Sequence, residues 1–261
     1  DTIRVSLTEP PEKEIPVARA LVDYVNIKHK HEKITNITIN PINPFQSSRR
    51  ITKSVINIGG DQPPVVMIDL SNKTRVTPKS LFYLGYRYSV TLDKWHIDDI
   101  AVDYIFVGDN EVDFKIPGLL KVVYNYSTWE KHKQGYPLMS IKEYFTNHVK
   151  SKKLNIVKIS IKDLTKDVLK ALRNDSSVVL LIESDNINSV AEQRRLFIEL
   201  MNNNVLNPVI ISKTYELAKL TELKIHSSID FGALLIDGLG DGLFISQKSS
   251  GISHVSINKL L

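Results

Sequence analysis

The sequence contains no cysteine in 261 residues. That excludes disulfides, thiol nucleophiles and any cysteine-ligated zinc or iron–sulfur site within these residues. Long apolar runs are also missing. No stretch reaches the roughly 20 residues that a membrane-spanning helix requires, and Arg4 and Ser6 interrupt the first apolar segment, so no signal peptide is visible in it. Charge of one sign is scarce: 34 Lys+Arg stand against 29 Asp+Glu, a formal +5. The densest basic cluster is only Lys28-His29-Lys30-His31 with Lys33. A nucleic-acid footprint needs a basic stripe, often with stacking aromatics, and this dispersed charge argues against that partner. His29, His31, His96, His132, His148, His226 and His254 form no helical pair with a carboxylate, so no metal site is expected. What remains is ordinary globular composition, 42% hydrophobic and 24% charged, which points to a soluble, cytoplasmic protein with no membrane partner.

The chain opens with a strand-like alternation over residues 2–7. Thr8-Glu9-Pro10-Pro11-Glu12 then carries the marks of a helix start: a capping residue, prolines in the first turn and acids near the positive end. Ile15, Ala18, Leu21, Val22 and Val25 keep helical spacing behind it. Residues 35–64 are rich in Asn, Pro, Ser and Gly, and a domain boundary falls near 40–50. From 65 onward short apolar strands recur at 65–70, 88–92, 104–107, 121–126, 156–161, 178–182, 209–212, 223–226 and 243–246. Amphipathic helices fit 79–86, 141–149, 164–172 and 190–201. Val178-Val179-Leu180-Leu181-Ile182 is apolar on both faces, as a strand covered by helices must be. The alternation predicts an α/β protein with a TIM-barrel-like (β/α) domain, irregular or incomplete between 88 and 126, with an open doubly wound sheet as the other solution.

Two segments far apart resemble each other. Asp1-Thr2-Ile3-Arg4-Val5-Ser6 aligns without gaps on Asp241-Gly242-Leu243-Phe244-Ile245-Ser246. The second copy follows Gly232-Ala233-Leu234-Leu235-Ile236-Asp237-Gly238-Leu239-Gly240, a helix end whose glycines release the chain into a strand. Asp1-Thr2-Ile3-Arg4-Val5-Ser6-Leu7-Thr8-Glu9-Pro10-Pro11 resembles the last strand of the catalytic barrel of the 4-hydroxy-3-methylbut-2-enyl diphosphate synthase family. Members from plants and some bacteria carry an extra central domain. The run from Gly232 to Gly242, with Leu223-Lys224-Ile225-His226 before it, resembles the end of that domain. Phe45, Arg49-Arg50-Ile51-Thr52 is similar to the junction where it begins. The middle of the chain, about 60–205, matches only in strand–helix rhythm.

The resemblance implies three parts: residues 1–45 as the closing strand and helix of the catalytic barrel, 46–250 as the central TIM-barrel-like insert, and 251–261 as the start of a linker toward an iron–sulfur domain. A sequence that starts with Asp1 inside a strand-like segment is accordingly expected to be a piece of a longer protein. The family opens cyclic methylerythritol diphosphate reductively in the isoprenoid pathway. Its electrons come from ferredoxin or flavodoxin through a [4Fe–4S] cluster held by three cysteines and a glutamate. The resemblance places that cluster in the full-length parent, so this chain is expected to hold no cofactor, metal or catalytic residue and to be inactive alone. Its partners would be the catalytic barrel and iron–sulfur domain of the same polypeptide, with ferredoxin or flavodoxin serving the parent.

The resemblance also implies that Arg4 and Ser6 bind the substrate diphosphate in the full-length enzyme, where a guanidinium fork and a hydroxyl suit phosphate oxygens. The second copy has Phe244 in place of Arg4. The insert is therefore expected to be a diverged barrel that kept its scaffold, lost this grip and spaces the cluster domain over the catalytic barrel. A filled, apolar surrounding for Phe244 is the mark of such a spacer. Two alternatives stay open: an independent barrel binding a phosphorylated ligand at a basic mouth, and a docking surface for ferredoxin or flavodoxin around Lys28, Lys30 and Lys33. The strand at 2–7 is expected to pair with an edge of the insert or with a neighbouring molecule, since unpaired backbone groups are not buried alone.

Overall fold

Strands that are hydrophobic on both faces need cover on both, and this chain provides it by closing its sheet on itself. The computed structural model describes residues 3–6, 8, 10–217 and 219–248. Eight parallel strands form the barrel: β1 (Val65–Asp69), β4 (Tyr104–Gly108), β5 (Lys121–Asn125), β6 (Tyr136–Ser140), β7 (Asn155–Ile159), β8 (Val178–Ile182), β9 (Val209–Tyr215) and β10 (Gly242–Gln247). β1 is the seam, pairing Val66 with Leu243 of β10 on one side and Ile68 with Ile105 of β4 on the other. Alternate residues split between two cores. In β8, Val179 and Leu181 point into the barrel, while Val178, Leu180 and Ile182 point at the helices.

The outer helices are α3 (Tyr126–His132), α4 (Ile141–Thr146), α5 (Lys166–Asn174), α6 (Ser189–Asn202) and α7 (Leu220–Leu235). Their starts are capped locally: Ser140 and Glu143 form a reciprocal box at α4, and Thr165 accepts from the Val168 amide at α5. After β1 the short helix α2 (Pro78–Leu81) continues through a single 3-10 turn to Gly85, whose φ of 87° ends it, so the helix expected over 79–86 is cut short. No helix among the described residues is long and apolar enough to cross a membrane.

Several sequence expectations need correction. The strand expected at 88–92 is an antiparallel hairpin outside the barrel, β2 (Tyr86–Ser89) with β3 (Lys94–Ile97). Residues 223–226 are not a strand but lie inside α7, which buries Leu223, Ser227, Asp230, Phe231 and Leu234 at spacings of three and four. Four residues fit both periods; only the longer stretch separates them. β6 lies where no strand is expected from the sequence, and it carries Pro137, a residue uncommon in interior strands. The strand at 2–7 is not formed over the described residues 3–6, and Ile3 is 54% exposed. A closed barrel has no edge to offer it. Residues 2 and 7 of that strand, His254 and the 251–261 linker lie outside the described residues.

The polar stretch before β1 has a definite path. Helix α1 (Pro11–Lys28) packs along α7, and the chain then runs down α6: Asn186, Arg195 and Asn202 donate in turn to the carbonyls of Glu32, Thr35 and Ile39. It reaches the N-terminal end of the strands, where residues 49–64 close the barrel floor. Val55 and Ile58 join the interior cluster there, and the Lys53 amide donates to Leu206 O at 2.7 Å.

Candidate functional site at the two ends of the barrel

The barrel interior is built from Met67, Tyr104, Phe106, Val123, Ile156 and Phe244, with further aliphatics from the remaining strands. Phe244 is 4% exposed and meets Phe106 edge to face, ring centroids 6.1 Å apart. Such a ring contributes about 1.5–3 kcal/mol by leaving water. Tyr104 is the polar exception: its hydroxyl donates to Asn57 Oδ1 of the floor segment at 2.6 Å, and burial pushes its pKa up, so it stays neutral. The surroundings of Phe244 are therefore filled and apolar.

The mouth, at the C-terminal strand ends, is where barrels of this kind do chemistry. Two residues past Phe244, Ser246 donates to Asp69 Oδ2 at 2.5 Å, and Asp69 Oδ1 accepts from the Ser71 amide and hydroxyl. Asp109 accepts from Asn125 and Thr128. Lys158 lies 3.1 Å from Glu183. Past the ends of β9 and β10, Lys248 lies 3.0 Å from Glu216, and Lys213 donates to Ser189, so the lysines described at this end are each engaged. Where the first copy of the motif offers Arg4, the mouth beside Ser246 offers a carboxylate, which repels a diphosphate.

The floor holds one cluster of buried charges. Asp241, 2% exposed, accepts from Arg49 Nη2 at 3.0 Å, Thr52 Oγ1 at 3.0 Å and the Val209 amide at 2.9 Å. Arg50 Nη1 stands 3.9 Å from its other oxygen. The Arg50 guanidinium also donates to Asn207 O and Val205 O, and burial lowers its pKa to about 10 against the pull of Asp241. Gly238 carries φ +70°, and a Cβ there would sit 2.4 Å from Ser48 O. Its carbonyl accepts from the Arg50 amide at 2.9 Å. Two segments nearly 200 positions apart are thereby clasped. The sequence singled out both ends, Arg49-Arg50-Ile51-Thr52 and Asp241-Gly242, but had no local signal that they touch.

A second buried cluster fastens α1. Asp230, 2% exposed, accepts from Lys28 Nζ at 2.6 Å, Tyr24 Oη at 2.7 Å and Tyr215 Oη at 3.1 Å. Burial and then Asp230 push both tyrosine pKa values up. His226, expected at the end of a strand over 223–226, instead stacks on Tyr24 from within α7, centroids 3.6 Å apart. Burial lowers its pKa, which keeps the ring neutral. Lys28 is consumed here and is not available to a docking partner. The apolar face expected of α1 is open, with Ile15 63%, Val22 38% and Val25 42% exposed. Arg4 and Ser6 are exposed. The cysteine-free sequence offers no thiolate for an iron–sulfur cluster, and the described residues group no three His, Asp or Glu side chains fit for a metal.

No family model matches the chain, and no solved structure matches it. Curated relatives do. The chain is 32% identical over 259 residues to the 4-hydroxy-3-methylbut-2-en-1-yl diphosphate synthase (flavodoxin) of Bacteroides thetaiotaomicron, covering 99% of this chain and 39% of that protein. It is 31% identical over 260 residues to the protein of the same name from Phocaeicola vulgatus, again covering 99% of this chain and 39% of the relative. A chloroplastic 4-hydroxy-3-methylbut-2-en-1-yl diphosphate synthase (ferredoxin) of Arabidopsis thaliana matches at 27% over 299 residues, covering 100% of this chain and 39% of the relative. The chain thus spans about two fifths of the length of the curated relatives it matches.

Proposed function

We propose, from the membership of this chain in the 4-hydroxy-3-methylbut-2-en-1-yl diphosphate synthase family as a segment of its longer members, that its barrel is a non-catalytic spacer within that enzyme. The observation that carries this reading is Phe244, buried in a filled interior at the position where the twin segment has Arg4. Asp69 adds to it, since it holds Ser246 where a diphosphate would need a cation. The open apolar face of α1 supports assigning residues 1–45 to a preceding barrel: an outer helix of one barrel shows that face to its own strands, while Tyr24 and Lys28 on its other side grip α7 of the next. On this reading residues 46–250 are the insert and 251–261 begin the linker.

In the full-length enzyme Arg4 and Ser6 hold the substrate diphosphate, and the strand at 2–7 gains its partners from the rest of the catalytic barrel. The cluster, and the flavodoxin or ferredoxin that reduces it, engage other domains of the same polypeptide, with the activity carried out in the cytoplasm. Calorimetric titration of the chain with inorganic pyrophosphate and with methylerythritol cyclodiphosphate tests the spacer reading: no saturable heat is expected. Micromolar binding that Lys158→Ala abolishes would instead make the mouth a phosphate site. For the diphosphate grip, Arg4→Ala in the full-length enzyme is expected to lower kcat/KM roughly 10- to 100-fold, the worth of one charge-assisted hydrogen-bonding group. An unchanged value removes Arg4 from the site.

A further inference from the structure

Helix α1 lies outside a barrel that is already closed, and it carries two apolar stripes where an outer helix needs one. Val17, Leu21, Tyr24 and Lys28, spaced by three and four, are half-buried or buried and fall on the side that meets α7. Ile15, Val22 and Val25 fall on the neighbouring side and stay exposed.

The contacts on the first stripe are polar and specific. Tyr24 stacks on His226 and, one turn further along both helices, Lys28 donates to Asp230 at 2.6 Å. The two helices therefore run side by side in the same direction and in one register. Lys28 enters the place where α7, β9 and the start of α6 meet: Asp230 comes from α7, Tyr215 from β9, and Lys213 of β9 donates to Ser189 of α6 beside them. The Lys28 side chain is only 8% exposed there. An apolar stripe tolerates sliding and swivelling, whereas a buried ion pair does not. A shift of one turn, about 5.4 Å, would leave Lys28 and Asp230 each unpartnered and away from water. Past Lys28 the carbonyls of Glu32, Thr35 and Ile39 are held along α6, so the pinned end has no free segment to pivot on. None of these contacts is needed to close the barrel, whose eight strands pair without α1.

We infer that the node of Tyr24, Lys28 and Asp230 is a positioning joint: it fixes α1, and with it the barrel that the segment before α1 closes, at one angle to the insert, so that the two barrels move as one body. This rests on the reading that assigns residues 1–45 to a preceding barrel, and it gives the spacer its mechanics. A spacer free to swivel about α1 could not hold a further domain over a catalytic mouth; one locked at α1 can. The two stripes divide the work. The polar one sets the angle to the insert, and the open one is left for the strands of α1's own barrel.

Hydrogen exchange on the purified chain reads the joint without reference to any other domain. Lys28→Met together with Tyr24→Phe is expected to speed exchange in α1 at least about tenfold, while the amides of β8 and β9 keep their protection. Both changes sit on α1, and Lys213 stands near enough to balance Asp230, so the barrel is expected to melt within a few degrees of wild type. Val22→Thr, on the open stripe, is expected to leave α1 as protected as before. Protection of α1 that survives the double change, or that Val22→Thr removes as readily, would overturn the joint. In the full-length enzyme the same double change is expected to lower kcat roughly tenfold at unaltered KM, because groups on separate domains are no longer held in register. A contact that only adds stability leaves kcat unchanged below the melting transition. That result would remove the positioning role, and it would leave the pyrophosphate titration of the spacer reading untouched.

Discussion

The floor and the mouth of this barrel divide their labour unusually. At the mouth, several polar groups satisfy near neighbours in sequence, as in Asp69 with Ser71 and Glu143 with Ser140, beside longer links such as Ser246 to Asp69. At the floor, buried Asp241 and Arg50 and half-buried Thr52 join segments nearly 200 positions apart. In barrels of this class the mouth usually carries chemistry and the floor stability. Here the two motifs that carry the family resemblance in the barrel meet at the stability end.

Four substitutions would break or sharpen this contrast. The largest effect is expected from Phe244→Arg, which gives the second motif the guanidinium of the first but puts it in a dry interior. It should cost more than about 4 kcal/mol, because an unpaired buried charge keeps its desolvation penalty, and urea denaturation should show it. If the variant folded normally and bound pyrophosphate, the interior would not be a sealed core. Asp241→Ala comes next, at about 3–5 kcal/mol, since it strips Arg49, Thr52 and the Val209 amide of their acceptor and leaves Arg50 buried without its carboxylate.

Gly238→Ala should cost about 1–3 kcal/mol through its left-handed φ and the collision with Ser48 O. Its signature is local: limited proteolysis should cut residues 40–48 faster while the barrel melts nearly as before. The smallest effect belongs to the mouth. Ser246→Ala removes one hydrogen bond to Asp69 and should cost about 0.5–1.5 kcal/mol. If that loss exceeded the loss from Asp241→Ala, the ranking of the two ends would be reversed.

How much was legible in the sequence depended on the range of the signal. Residues 178–182 were read with their true bounds because five consecutive β-formers between polar turns admit one solution. The first helix was found from its prolines and acids, yet the apolar spacing behind it did not mark a buried face, because α1 meets α7 through Tyr24 and Lys28 instead. Lys28 looked like part of a solvated basic cluster; only the carboxylate of Asp230, 202 positions away, makes it an interior residue. The Pro- and Gly-rich stretch before β1 looked like a linker by composition. Its backbone finds partners on α6 and under the barrel, and composition carries no record of such partners.

The sequence by itself determined the alternation of strands and helices, the lack of any thiol chemistry, and the substitution of Phe244 for an arginine-bearing twin. These follow from periodicity, composition and comparison of short segments, all of which act over a few residues. Closure of the sheet at β1, the plugging of its floor by residues 49–64 and the pairing of Arg49 and Thr52 with Asp241 were decided only in three dimensions. A buried ion pair is fixed by the geometry that removes both partners from water, and no local pattern encodes which distant charge will arrive.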